Sequence, residues 1–289
     1  MTATVRIADL LSEGMKALRA AGVEAPAGEA RLLLGVAAQL PPAIMIGFPE
    51  RSVPAEAAEA YRALIARRAD REPVSHLLGR REFWSRPFIV SRDVLDPRPD
   101  SEALIDAVLA EIGDRQVPLR ILDLGVGSGC LLLTLLSELP QARGVGVDLS
   151  PPALAIAERN AAQLRLADRL VLRQGNWDEA LLPEDRHPFD LIVSNPPYIP
   201  TADMLALVPE IVRYEPHLAL DGGPDGLAAY RRLALILPPL LAPGGLVALE
   251  IGLGQGESVR ALMVGAGLLP SGSAFDLGNR ERCLLFRHS

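Results

Sequence analysis

The sequence predicts an α/β fold, a doubly wound, mostly parallel sheet of seven strands with an antiparallel last strand. A small helical bundle and a β-hairpin precede it. Two observations predict this arrangement: apolar β-branched runs alternate with helical segments from residue 119 onward, whereas apolar residues recur every three or four positions before residue 72. We therefore expect a helical domain over 1–72, a hairpin connector over 73–93 and a ligand-binding α/β domain over 94–289.

The apolar periodicity before residue 72 predicts a bundle of short amphipathic helices. The first lies within 5–22 and ends at Gly22, and the second spans 27–39 and stops at Pro41-Pro42. A short helix precedes Pro49, and a longer one begins after Pro54. The bundle is either a structural cap or a docking module for a macromolecular partner, and the sequence leaves both interpretations open.

Bulky residues around Ser85-Arg86-Pro87 predict the hairpin. Two prolines then stiffen the segment 95–102, in which Asp100 or Ser101 is placed to cap a helix beginning near Glu102. The remaining strands are expected at 121–124, 144–147, 170–172, 189–194 and 245–251, with a final pair at 269–276 and 282–287. The intervening helices are expected at 130–136, 151–166, 227–241 and 256–265.

Composition excludes several classes of protein. The 289 residues are 49% hydrophobic and 22% charged, enough for a full core. A net charge of −7 and a pI of about 5.2 argue against sequence-independent nucleic-acid binding. Cys130 and Cys283 lie far apart in apolar settings, and the four histidines show no ligand spacing. No apolar run approaches the ~20 residues of a membrane span. We expect a cytoplasmic protein with no metal site and two buried thiols.

A glycine-rich loop, Gly125-Val126-Gly127-Ser128-Gly129, joins the first strand of the sheet to a helix. Glycine lets a ligand lie against bare peptide, and the helix behind it offers free N–H groups. Asp148 ends the next strand, where a carboxylate suits the ribose hydroxyls of a nucleoside. Trp177 follows the third strand, where its indole ring could contact the face of an adenine. The pattern predicts a nucleoside cofactor. The alternative for the glycine loop is a tight turn that binds no ligand, and the alternative for Trp177 is a residue that only packs against the loop.

The segment Ser194-Asn195-Pro196-Pro197-Tyr198 follows the buried strand Phe189–Val193. Ligands of open α/β sheets bind where strands end. Two prolines stiffen the loop and leave bare carbonyls beside the Asn195 side chain. Such an array of acceptors beside an aromatic ring suits a planar amide or amine held by its N–H groups. An ordinary turn is the alternative.

Taken together, the glycine loop, Asp148 and Asn-Pro-Pro-Tyr resemble the motifs of amino-methyltransferases. Further motifs resemble those of the release-factor glutamine methyltransferase family over nearly the whole chain: Arg81-Glu82-Phe83-Trp84, Pro97-Arg98-Pro99-Asp100, Ile192 to Ile199, Tyr214-Glu215-Pro216, Pro243-Gly244-Gly245, Glu250-Ile251-Gly252 and Gly278-Asn279-Arg280-Glu281-Arg282. The chain departs from the family at three positions: Val126 and Ser101 replace a threonine, and Asp96 stands at a usually apolar position.

The resemblance implies methyl transfer from S-adenosylmethionine to the amide nitrogen of the glutamine in the Gly-Gly-Gln loop of class-1 peptide chain release factors. It implies cofactor contacts from Gly125, Val126, Gly127, Ser128, Gly129, Asp148, Trp177 and Asn195. Asn195, Pro196, Pro197 and Tyr198 would bind the glutamine. The Asn195 side-chain oxygen and the Pro196 carbonyl would accept its two N–H groups, and Tyr198 would pack on the amide and exclude water. The helical bundle would dock the release factor.

Three alternatives remain at this point. Methylation of a ribosomal-protein glutamine would share the core motifs, and DNA adenine methylation also uses Asn-Pro-Pro-Tyr but needs basic DNA contacts. A cofactor-sensing module without turnover is the third. Glu250 ends a strand near the site, either supporting it from behind or forming an ordinary buried hydrogen-bonded carboxylate.

Overall fold

The computed structural model describes residues 4–185 and 187–288. They form two compact units. The N-terminal unit comprises residues 4–78 together with the segment 209–214, and the sheet unit comprises the described residues of 79–208 and 215–288. No helix among the described residues has the length and apolar character needed to cross a membrane.

The N-terminal unit is helical, as the sequence predicts, and begins with β1 (Thr4–Arg6), α1 (Ile7–Ala20), α2 (Pro26–Ala38), α3 (Pro42–Gly47), β2 (Ser52–Pro54), α4 (Ala55–Ala69) and α5 (Val74–Leu78). Its apolar core forms between α1, α2 and α4. Gly14 permits the close approach of α1 and α4, because a side chain there would overlap the Tyr61 ring. The short antiparallel pair β1–β2 has no counterpart in the prediction.

The sheet unit, with one helix that belongs to the other unit, continues as β3 (Arg80–Phe83), β4 (Arg86–Ile89), α6 (Glu102–Ile112), β5 (Arg120–Leu124), α7 (Cys130–Glu138), β6 (Arg143–Asp148), α8 (Pro151–Gln163), β7 (Leu170–Gln174), β8 (Phe189–Ser194), α9 (Pro209–Tyr214), α10 (Ala228–Leu240), β9 (Leu241–Glu250), α11 (Gly256–Gly265), β10 (Leu268–Phe275) and β11 (Glu281–His288). The hairpin β3–β4 is as predicted.

The seven strands of the described sheet run in the order β10-β11-β9-β8-β5-β6-β7. Strands β5 to β9 are parallel, and β11 is antiparallel to both of its neighbours. Side chains alternate across the sheet: Ile121 joins the apolar cluster beneath α6 and α7, whereas Leu122 and Leu124 join the cluster beneath α10 and α11. Burial on both faces explains the near-continuous apolar strands, and the predicted fold class is confirmed.

Helix α9 packs in the N-terminal unit although it lies far along the chain. Its Glu210 accepts hydrogen bonds from Arg68 at 2.9 Å and Arg71 at 2.7 Å, and the Arg68 side chain is only 7% exposed. Arg213 pairs with Asp70 at 2.8 Å. The sequence does not reveal this helix, because six residues make fewer than two turns and are too few to show a repeating apolar pattern.

Two local predictions are wrong. Neither Asp100 nor Ser101 makes a side-chain cap on α6 among the described residues: Ser101 has helical dihedral angles, φ −68° and ψ −15°, whereas a capping residue is extended. The strand expected at 245–251 begins earlier, at Leu241, because Leu241 pairs with Phe189 ahead of an irregularity that contains Pro243.

Candidate active site

The order of the parallel strands reverses at β5, between β8 on one side and β6 on the other. Such a switch point opens a crevice at the carboxyl ends of the strands. A cavity of about 260 Å³ lies there. Its walls come from the glycine loop after β5, the end of β6, the turn after β7 and the loop after β8, with further residues from 93–101 and 216–219.

The glycine loop exposes backbone to this cavity. Gly125 and Gly127 have φ angles of +90° and +53°, and no atom lies within 4 Å of the position a Cβ would take at either. Gly129 is different, since a Cβ there would come within 2.8 Å of Leu133. The first two glycines therefore leave space for a ligand, and the third allows the loop to pack on α7.

Asp148 shapes the loop as well as the cavity. One carboxylate oxygen accepts the Gly127 N–H at 2.8 Å, and the other accepts the Ser150 N–H at 2.9 Å. Each oxygen retains a lone pair for a further donor. Asp148 thus holds the turn of the glycine loop and lines the cavity at the end of β6.

Two buried polar atoms along the cavity have no hydrogen-bond partner among the described residues: Asp123 Oδ1 and Ser128 Oγ. Burial, with the charge of Asp148 next in importance, raises the pKa of Asp123 to about 8. A main-chain hydrogen bond from Leu132 opposes this shift. Unpartnered buried groups are rare in folded proteins, so this pair marks a place for a polar ligand group.

Trp177, in the turn after β7, is another residue of the cavity wall. Its φ of +56° is unusual for a bulky residue. The half-buried side chain packs against the apolar cluster beneath α10 and also lines the cavity. Packing and ligand contact, the two interpretations of this residue, are therefore compatible.

Asn195, Pro196 and Pro197 line the same cavity as the glycine loop. The segment is fixed at both ends: the Ser194 hydroxyl donates to the Leu124 carbonyl at 2.5 Å, and the Tyr198 carbonyl accepts from Gln255 at 3.0 Å. No hydrogen bond to the Pro196 carbonyl is made within residues 4–185 and 187–288. The loop therefore presents a rigid, unengaged acceptor beside the Asn195 amide.

Tyr198 is placed differently from the residues before it. The ring packs against the apolar cluster beneath α10 and against Gly252, where a Cβ would come within 3.0 Å of it. Burial raises the pKa of its phenol to about 12. The side chain thus supports the loop from the core side, and its packing on a substrate amide stays a prediction.

Comparison with known proteins identifies the chain's family. A model described as PrmC N-terminal domain matches residues 9–79, and one described as methyltransferase domain matches 121–214. The chain is similar to the release factor glutamine methyltransferases of Rhodospirillum rubrum, with 49% identity over 96% of this chain and 84% of that one, and of Cereibacter sphaeroides, with 47% identity over 98% and 99%. The chain belongs to the release factor glutamine methyltransferase family.

A solved structure is similar in fold. A methyltransferase from Pyrococcus furiosus shares 16% identity with this chain, covers 69% of it and 87% of its own length, and has a TM-score of 0.50. At that identity the likeness extends to the fold alone. It agrees with the architecture of the sheet unit in this member of the release factor glutamine methyltransferase family.

The structure also reveals site residues that the motifs did not assign. Arg98 donates to both carboxylate oxygens of Glu215 at 2.7 Å, and the Glu215 side chain is only 2% exposed. Burial raises the pKa of Glu215, and the charge of Arg98 opposes the shift. The pair joins the segment before α6 to the segment that contributes Pro216 to the cavity wall. Two of the family motifs thus meet in one ion pair.

The two cysteines are not suited to act as nucleophiles in this site. Cys283 is buried, as predicted, but Cys130 is only half-buried and borders the cavity. The thiol group itself is enclosed, although the residue as a whole is partly exposed, and this burial raises its pKa to about 12, which disfavours a thiolate nucleophile. No group of metal-binding side chains occurs among the described residues.

Proposed function

We propose that this chain transfers a methyl group from S-adenosylmethionine to the side-chain amide nitrogen of the glutamine in the Gly-Gly-Gln loop of class-1 peptide chain release factors. The observation that carries the proposal is that Asn195 and Pro196 line the same cavity as the glycine loop. The names of the relatives supply the substrate class, and the cytoplasm, where translation takes place, is the compartment we propose.

The cavity suits the cofactor in three respects. Open space above Gly125 and Gly127 accepts a ligand against the backbone. Asp148 offers acceptors for ribose hydroxyls, and Trp177 offers an aromatic face for adenine. The unpartnered Asp123 and Ser128 offer partners for the charged amino-acid end. When bound, the cofactor supplies an electrophilic methyl group on a sulfonium.

The loop after β8 would position the glutamine. An amide nitrogen is a weak nucleophile, because its lone pair is delocalised into the carbonyl. The Asn195 side-chain oxygen and the Pro196 carbonyl would accept its two N–H groups and hold the nitrogen in one orientation. Pro197 keeps the loop stiff, since its φ is fixed. Orientation is the main contribution of these residues, and no strong base is required.

The N-terminal unit would dock the release factor. Four large apolar side chains of this unit are exposed on α2, on α3 and just after it: Leu32, Val36, Ile46 and Phe48. The match to the PrmC N-terminal domain over residues 9–79 supports a family-specific role for the unit. The buried Arg68 pairs with the partly exposed Glu29 and Glu210, and these ion pairs link three helices of the unit. Docking on this unit would select a whole protein as the substrate, not only a loop.

The test is a competition among substrate classes. The enzyme is incubated with labelled S-adenosylmethionine and, in parallel, a class-1 release factor, the same factor with its Gly-Gly-Gln glutamine changed to alanine, ribosomal proteins and DNA. We expect label only in the first. Label in the altered factor, in ribosomal protein or in DNA at a comparable rate would overturn the proposal, and so would no label in any of the four.

A further inference from the structure

Two polar side chains lie next to Asn195 within the sheet unit. Asn195 Nδ2 is 3.5 Å from the Ser101 hydroxyl, at the start of α6. The carboxyl group of Glu250, the last residue of β9, lies near both Ser101 and Asn195, and each of these side chains lowers its pKa. Glu250 is 2% exposed and does not line the cavity, whereas Ser101 and Asn195 do. Glu250 Oε2 has no hydrogen-bond partner among the described residues.

A carboxamide has a donor end and an acceptor end, and a half-turn of the side chain exchanges them. Only the oxygen can accept an N–H from a substrate amide. The other end must therefore be held by an acceptor on the protein side. An ionised carboxylate is suited to this, because it accepts hydrogen bonds and cannot donate them. A hydroxyl between the carboxamide and the carboxylate can connect them, because it accepts a hydrogen bond from the carboxamide while it donates one to the carboxylate.

We propose that Glu250, acting through Ser101, is the positioning residue that fixes the amide of Asn195 with its oxygen toward the substrate glutamine. Asn195 Nδ2 donates to the Ser101 hydroxyl, which donates to the Glu250 carboxylate. Both hydrogen bonds therefore point the same way, from Asn195 toward the ionised carboxylate of Glu250. This inference rests on the proposed role of Asn195 and explains why an ionisable group is buried next to a neutral amide.

The main chain and the carboxyl group of Glu250 have different neighbours. The hydroxyl of Tyr230, on α10, donates to its main-chain oxygen at 2.8 Å. The titratable or charged groups that face its carboxyl from the surrounding elements are Asp100, Cys130, Tyr198, Tyr230, Arg282 and Cys283. Arg282 favours the ionised form of Glu250, and Asp100 disfavours it.

The direction of the chain depends on the charge of Glu250. Burial raises the pKa of Glu250 to about 7, against the effects of Ser101, Arg282 and Asn195. Below that pH the protonated carboxyl donates to Ser101, whose hydroxyl is then free to donate to the oxygen of Asn195. The amide loses its fixed orientation. The methyl-transfer rate at saturating cofactor should therefore rise with pH through about 7 and level off above it.

Four variants test the inference in single-turnover assays at saturating cofactor. Glu250→Leu and Ser101→Ala should each lower the rate roughly 100-fold, because the orientation of Asn195 is lost. Cofactor affinity should be unchanged in Glu250→Leu, since Glu250 does not line the cavity, and should change much less than the rate in Ser101→Ala, which removes only one hydroxyl from the cavity wall. The double variant should lose little more than either single variant, since both break one chain. Glu250→Gln keeps the shape and one acceptor oxygen. Its methyl-transfer rate should fall about tenfold, because the hydrogen bond loses the assistance of the negative charge. That rate should not vary between pH 6 and pH 8.

Tyr230→Phe is the matched control. It removes a buried hydroxyl bonded to the same residue, so we expect a lower melting temperature but an unchanged pH profile. Should Glu250→Leu fail to fold, the isosteric Glu250→Gln decides through its pH profile. The inference is overturned if Asn195→Ala is inactive while Ser101→Ala and Glu250→Gln keep the parent rate and pH profile. If Asn195→Ala itself keeps the parent rate, the proposed function of the loop fails first.

Discussion

Changing Asp123 to asparagine should stabilise the protein in the absence of cofactor, and increasingly so as pH rises. The pKa of Asp123 is about 8 in the folded chain and about 3.9 in an unfolded one. The folded state therefore binds the proton more tightly, and folding loses stability as pH rises from about 4 to about 8. Between pH 5.5 and pH 8 this pKa difference lowers the free energy of unfolding by about 3 kcal/mol. That figure is an upper value, because relaxation of the site reduces it.

Urea unfolding at both pH values measures this effect. The gain of Asp123→Asn over the parent should be larger at pH 8 than at pH 5.5 by about 1–3 kcal/mol. Comparing two pH values cancels the fixed cost of an unpartnered amide donor. Asp225→Asn is the control: Arg231 holds the pKa of this exposed carboxylate at about 2, so it is ionised at both pH values. An equal gain at both pH values would refute the burial argument for Asp123.

Three further predictions concern cofactor and partner. Gly127→Val should abolish cofactor binding in calorimetry while the protein stays folded, because the side chain would fill the open space above the loop; unchanged affinity contradicts this. Asp148→Ala should weaken binding by about 1.5–3 kcal/mol for S-adenosylmethionine but less for methionine, and an equal loss for both would argue against ribose recognition. Leu32→Ser with Phe48→Ser should raise KM for the whole release factor about tenfold, the effect of losing about 1.4 kcal/mol of contact, and spare a short Gly-Gly-Gln peptide. The exposed Leu235→Ser, in the sheet unit, is the control, and equal loss with peptide and protein would exclude a docking role.

Most of the fold could be predicted because its signals are local. The strand at Phe189–Ser194 has the predicted bounds, since a buried β-branched run ends at a residue before proline. The glycine loop and Asn195 were placed correctly at strand ends, because consecutive elements of a parallel sheet bring those ends to one edge.

What the sequence missed depends on contacts between distant residues. Helix α9 is held in the N-terminal unit by Glu210, whose partners Arg68 and Arg71 lie about 140 positions earlier. The pairing of Arg98 with Glu215 joins two motifs that are more than 100 residues apart. Neither has a periodic signal. Asp100 looks like a helix cap in sequence, yet it pairs with Arg282 at 2.9 Å from β11. Deleting residues 1–72 would strip α9 of these partners, so substitutions test docking more cleanly than truncation.

The most direct test of the central claim is the rate of methyl transfer to a Gly-Gly-Gln release factor by Asn195 variants, in single turnover at saturating cofactor. Asn195→Ala should keep cofactor affinity within about tenfold and lose several orders of magnitude in rate, because orientation can contribute about 7 kcal/mol. Asn195→Asp should retain more activity than the alanine variant, since it keeps an acceptor oxygen, but less than the parent, since it places a second carboxylate beside Glu250. Parent rates in both variants would contradict the account, because the loop after β8 would then be only a turn.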